Sequence, residues 1–244
     1  MATVPMGLAA KFGHRTISSE SRSERKALVW GARLFGVAGV VAYNWWVPVP
    51  FIHGMLPSVN GFFSDIEATG MPHATLLQDA DMVSGLCLLT AFFLLLFASA
   101  VHGLRRREWR WLAWFAAAGF VGGRFPYACA AGLSSVCDAK QWHMQLPVHH
   151  YLHMAAGVVE FSTITVVVLL AVRRTRGTRS VPATVYRSAL GAFAVAYPAL
   201  AAAYLTNRLG AFVEPVFFVA FTAVILAELY EADRAGVPAL SATS

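Results

Sequence analysis

The stretch that decides the fold is HMQLPVHHYLHMAAGVVEFSTITVVVLLAVRR, residues 143 to 174. It opens on loop residues, crosses an apolar run and stops at Arg173-Arg174. From His149 onward the run is long enough to cross the hydrocarbon core as one helix, which takes about 20 residues. On a wheel of about 100° per residue, His149, His153 and Glu160 fall within about 40° of one another, and His150 stands near 100°. One face of a membrane helix therefore carries two imidazoles and a carboxylate. An ionisable group at membrane depth is costly to hold, so Glu160 marks a candidate functional site.

Outward from this stretch the same pattern recurs. The 244 residues are 57% hydrophobic and 13% charged, with mean hydropathy +0.57, too apolar for an ordinary soluble domain. Apolar runs cover about residues 27–49, 80–103, 109–127, 149–172, 183–205 and 210–229. They predict an all-α, polytopic membrane protein with six transmembrane helices. Polar tails at 1–27 and 231–244 flank a transmembrane domain at 28–230. Tyr43, Trp45 and Trp46, closing the first run, read as an interfacial aromatic signature. Residues 1–27 hold no apolar core before a small-residue cleavage site, so the first helix is expected to act as an uncleaved signal.

The basic residues orient this layout. Sixteen of the nineteen Lys and Arg lie in the N-terminal tail and first-helix start, in the turns near 105–110 and 173–187, or at Arg234. Only Arg124, Lys140 and Arg208 fall on the other side. The positive-inside rule then places both termini in the cytoplasm of a multi-pass cell-membrane protein. A lipid bilayer accounts for the formal charge of +6, and no nucleic-acid partner is expected. The loop at 50–79 carries Asp65, Glu67 and Asp79 without a single Lys or Arg, as an extracytoplasmic loop should. Cys129 and Cys137 flank a second outer loop and are a candidate disulfide if that side is oxidising, whereas Cys87 reads as inert packing.

Threaded this way, Asp81, Ser84, His143, His149, His150, His153 and Glu160 all fall in the outer half. His149-x-x-x-His153 sets two imidazoles on adjacent turns, a spacing that suits zinc, and His143 is a further candidate ligand. Asp81, Ser84, His150 and Glu160 are the candidate catalytic groups of a metal-dependent hydrolase or transferase acting on lipid or a lipid-linked substrate. No G-x-S-x-G surrounds Ser84. The competing reading is structural. Here His150 snorkels at the headgroup level, Glu160 pairs with Arg124, and Asp81 and Ser84 cap the second helix. The protein is then a non-enzymatic binder of lipid or of a partner. Gly36, Gly39, Gly122 and Gly123 read as close helix contacts.

Several motifs carry a resemblance. Ser64-Asp65-Ile-Glu-Ala68-Thr-Gly70-Met-Pro72, then Asp81-x-x-Ser84, then Phe125-Pro126 and a histidine opening the fourth long segment, resemble the prokaryotic six-helix membrane family known as domain of unknown function 998. The first outer loop is also similar to that of the eukaryotic DRAM/Frag/Sfk group, several members of which are linked with lipid handling or membrane organisation. The resemblance spans roughly residues 30–230 and implies a six-helix membrane fold. Tyr127-Ala-Cys129 departs from it, since an acidic residue often follows the Phe-Pro pair. A looser likeness, of chemistry alone, is to the alkaline ceramidase and adiponectin receptor superfamily of membrane zinc hydrolases. Their His-x-x-x-His lies in the last helix of seven.

Overall fold

The computed structural model describes residues 19–52, 58–102 and 106–232. Among them are seven α-helices and no strand: α1 (Ser19–Tyr43), α2 (Ala74–His102), α3 (Glu108–Arg124), α4 (Ser135–Trp142), α5 (Val148–Arg174), α6 (Val181–Thr206) and α7 (Gly210–Glu231). α1, α2, α5, α6 and α7 are long and apolar enough to cross a membrane. α3 has 17 residues and carries Glu108, Arg110 and Arg124. The bundle leaves Leu34, Val41, Phe93, Phe97, Trp114, Val158 and Val195 on its outer surface, an apolar belt that a bilayer covers. The chain is an integral membrane protein.

Each long helix packs on the next in sequence, and α7 returns to α1, so the six long helices close a ring. Small residues set the closest approaches. A Cβ on Gly85 of α2 would lie 2.4 Å from the Phe120 backbone nitrogen of α3, so only glycine lets these two backbones meet. Gly123 likewise meets the α2 backbone, Gly36 and Gly39 make close contacts with the Leu229 and Leu88 side chains, and Gly122 has ordinary clearance. α6 begins at Ser180, whose hydroxyl accepts the Ala183 N–H at 3.3 Å, and ends at Asn207 in the left-handed region, φ 51°.

An aromatic layer fills the middle of the ring. Phe161 packs on Phe217 and Phe221 at ring separations of 4.8 and 5.2 Å, Phe115 on Phe221 at 5.5 Å, and Tyr197 on Phe217 at 5.0 Å. Each such pair contributes about 0.5–1.5 kcal/mol beyond its area.

Below the layer, at the end holding the α2–α3 and α5–α6 turns, charges are paired across five elements. Arg174 reaches Glu108 at 2.7 Å, Glu228 at 2.5 Å and Glu231 at 2.5 Å. Arg106 lies 3.1 Å from Glu231 and 3.5 Å from Glu228, and the Tyr186 hydroxyl donates to Glu228 at 2.8 Å. This is the basic end of the bundle.

Several details differ from the sequence reading, for local reasons. α1 is already helical at Ser19, because the Ser, Glu, Arg and Lys residues that precede the apolar run are compatible with a helix that projects beyond it. α2 begins at Ala74 rather than near 80, so Asp81 and Ser84 stand inside the helix and do not cap it. The loop at 128–148 contains α4, capped by Ser134, whose hydroxyl accepts the Cys137 N–H. Tyr43 and Trp46 turn inward and pack on Phe218, which replaces the interfacial role expected of them. The expected tails fall mostly outside the described residues, at 1–18 and 233–244.

Candidate functional site

The loop between α1 and α2 folds back over the end of the ring opposite the Arg174 network. Its turn, Phe63–Glu67, is pinned from several sides. The Asp65 carboxylate accepts the Phe62 N–H at 2.9 Å and the Gly132 N–H at 3.1 Å. Glu214, one turn into α7, accepts the Phe63 N–H at 2.5 Å, and Gln78 of α2 donates to the Glu67 carbonyl at 2.6 Å. These bonds hold Glu67 inward, with only 3% of it exposed.

The second cover is the α3–α5 connection. A disulfide joins Cys129 to Cys137 across this segment. His150, fully buried, ties the connection to α5. Its Nδ1 accepts the Ala128 N–H at 3.2 Å, so Nε2 carries the proton and donates to Gln141 Oε1 at 2.8 Å. Gln141 in turn donates to the Tyr204 hydroxyl at 2.6 Å. Both nitrogens of His150 are committed to structure, and the ring does not snorkel.

Between these covers and the aromatic layer lies a cavity of about 390 Å³. Asp65, Glu67, Asp81, Glu160 and Glu214 all line it, together with His153, Tyr43 and Tyr127. Among the described residues, no Lys or Arg lines it. Asp81 accepts the Trp45 indole N–H at 2.5 Å and lies within hydrogen-bonding reach of Glu67, a contact that needs a proton on one of the two carboxyls. Two buried lining atoms, Glu67 Oε2 and the indole nitrogen of Trp46, have no hydrogen-bond partner. Burial, then the charge of Asp81, pushes the Glu67 carboxyl well above the ordinary glutamate range. Burial likewise raises Asp65, against the lowering effect of its backbone N–H donors. Burial also raises the Tyr127 phenol, which stays protonated as a donor.

Glu160 sits opposite Gly119 of α3, where a Cβ would come within 2.8 Å of its Oε1, so glycine makes room for the carboxyl. Arg124, expected to pair with Glu160, is instead exposed, with its guanidinium 5.7 Å from the Phe125 ring centre. His153 Nδ1 faces two carbonyls, Gly122 at 3.0 Å and Phe125 at 3.2 Å, so Nδ1 carries the proton and Nε2 is left as an acceptor on the cavity side.

Of the residues singled out from sequence, the cavity brings together Asp81, Ser84, His153 and Glu160. Ser84 also donates to the Gly39 carbonyl at 2.9 Å, joining α2 to α1. His143 is exposed at the end of α4 and His149 is half-buried at the start of α5; neither lines the cavity. The inward stripe of α5 is His150, His153, Gly157, Glu160 and Phe161. It is centred about 50° from the face that a wheel anchored on His149 picks out. Among the described residues, no three His, Cys, Asp or Glu side chains form a group disposed to hold a metal ion. Glu67, Glu214, Tyr43, Tyr127 and Trp45 complete the site, and periodicity alone does not assemble them because they come from α1, the α1–α2 loop, the α3–α5 connection and α7.

No curated protein and no solved structure matches the chain. The family model described as protein of unknown function (DUF998) matches residues 36–229, most of the chain and all of the cavity-lining elements, and the chain belongs to that family.

Proposed function

We propose that the protein spans the membrane six times, with α3 as the sixth span, both termini cytoplasmic and the acidic cavity toward the outer side. The basic turns beside Arg106 and Arg174 support this orientation, as does the Cys129–Cys137 disulfide at the opposite end. The cavity then binds an amine or another organic cation presented at the outer half of the bilayer. One observation carries this reading: five carboxyl side chains line a single cavity whose lining contains no Lys or Arg. Carboxylates held away from water without a counter-charge are costly, and a bound cation removes that cost.

Binding of ethylamine to the purified protein in nanodiscs, followed by calorimetry, tests the reading. Saturable binding that is lost in Glu160→Gln and Glu67→Gln supports it. The absence of binding in the wild type contradicts it.

The paired carboxyls of Glu67 and Asp81 favour a second reading, a hydrolase or transferase acting on lipid or a lipid-linked substrate. Two carboxyls sharing a proton offer a general acid and a general base in one place. Wild-type protein incubated with membrane lipids then yields a product, detected by mass spectrometry, that Asp81→Asn does not yield. A zinc-assisted version requires His143, His149 and His153 to draw together. Equal, negligible zinc in wild type and His153→Ala contradicts it.

A further inference from the structure

A second opening meets the acidic cavity from the side. Between α5 and α6 a groove on the outer surface of the bundle is lined by Val158, Thr165 and five neighbours. Four of these, Gly157, Phe161, Tyr197 and Leu200, also line the acidic cavity. The groove and the cavity thus share the α5–α6 seam as their common wall. At Gly157 a Cβ would meet nothing within 4 Å, so the seam is thin and unfilled at that position. Val158 beside it is 67% exposed on the membrane-facing surface. On the other side of the seam the helices are tied. The Tyr197 hydroxyl donates to the Phe161 carbonyl at 2.9 Å and lies 2.5 Å from the Thr165 hydroxyl, which bounds the opening toward the basic end.

The position suits a molecule that lies in the bilayer. Gly157 is about 13 Å along α5 from its start, inside the outer half of a hydrocarbon core about 30 Å thick. Glu160 follows within one turn on the same face, so an amine on its carboxyl leaves an attached chain directed at the Gly157 gap. The cavity end is acidic and the groove end is apolar. The carboxyl groups of Glu160 and Glu67 at the cavity end are acceptors of the kind an ammonium headgroup needs.

We propose that the α5–α6 groove is a lateral entrance through which a membrane amphiphile with an amine headgroup reaches the cavity from the outer leaflet, its chain remaining in the groove. This rests on the amine-binding reading above. It goes further in naming the ligand class and the route. The probes are hexadecylamine with a mid-chain diazirine and the corresponding hexadecanol, photo-crosslinked to the full chain in nanodiscs. The expected labelling by the amine falls on the peptides around Val158–Thr165 and Tyr197–Leu200. It drops about tenfold in Gly157→Leu and less in Gly157→Ala, a loss equivalent to about 1.4 kcal/mol of affinity.

A Cβ at Gly157 meets nothing within 4 Å, and an unchanged melting temperature verifies that each variant folds. Ethylamine, too short to need the groove, is measured on the wild type as the control for the amine site. If ethylamine binds but hexadecylamine labels elsewhere, or labels Gly157→Leu as strongly as wild type, the entrance is refuted while the amine site stands. If the alcohol labels the same peptides as strongly as the amine, the headgroup assignment is overturned. If ethylamine does not bind at all, the underlying reading fails.

Discussion

The two ends of the bundle hold their acidic groups on opposite terms. At the basic end, Glu108, Glu228 and Glu231 meet Arg106, Arg174 and Tyr186 at hydrogen-bonding distances. At the acidic end, Asp65, Glu67, Asp81, Glu160 and Glu214 surround a cavity with no Lys or Arg in its wall. Both sets are shielded from water by the same ring of helices, so burial alone does not separate them. The presence of a counter-charge does. A paired network closes one end as structure. Carboxyls without a counter-charge at the other end, with glycine making room for one of them, fit the proposed binding of an external cation.

The largest effect is expected from removing the hub of the paired network. Arg174→Met leaves Glu108 without its partner and Arg106 as the one remaining guanidinium for Glu228 and Glu231, and the expected loss is ~3–5 kcal/mol of stability, read from unfolding in detergent. Glu160→Gln, measured alongside, is expected to leave stability unchanged or raise it, since it removes an uncompensated charge.

A smaller effect comes from the cover of the cavity. Replacing Cys129 and Cys137 together by serine opens a short loop and is expected to cost ~2–3 kcal/mol. Hydrogen exchange locates the change. Amides at residues 128–150 exchange faster, while those around Glu228 keep their protection.

The smallest effect is a slope with pH. Glu67 titrates above its ordinary value of 4.5 in the folded protein, because burial and then Asp81 disfavour its charge. The folded state therefore holds this proton more tightly than the unfolded chain does. Stability in the absence of ligand is full below pH 4.5 and declines as pH rises toward the raised value. Thermal melts from pH 4 to 8 read this slope, and Glu67→Gln flattens it. A slope unchanged in the variant removes Glu67 as its source.

Sequence and structure agree where one physical signal dominates. Long apolar runs announced the helices, and the basic turns grouped at one end, because hydrophobic length and charge are local properties. The start of α1 at Ser19 was hidden by polar residues that are helical without being apolar. Asp81, His153 and Glu160 were legible as ionisable groups near the outer ends of apolar runs. His149 does not line the cavity: at the first turn of α5 a residue at the edge of a face and one at its centre look alike until the partner helices are placed. Glu67 was visible as an acid of the 50–79 loop, but its convergence with Glu214 depends on that loop folding back onto α7. The Arg174 network, drawn from α3, α5, α6, α7 and the α2–α3 turn, has no periodicity to betray it.

The most direct test sets one acid from each end side by side. Glu228→Gln and Glu67→Gln are purified in the same detergent, and their unfolding free energies are compared with wild type at pH 7.5. The counter-charge account predicts opposite outcomes: a loss above ~2 kcal/mol for Glu228→Gln, which gives up its bonds to Arg174 and Tyr186, and no loss, or a gain, for Glu67→Gln. A comparable loss in both variants would contradict it, because the acidic end would then be as structural as the basic one.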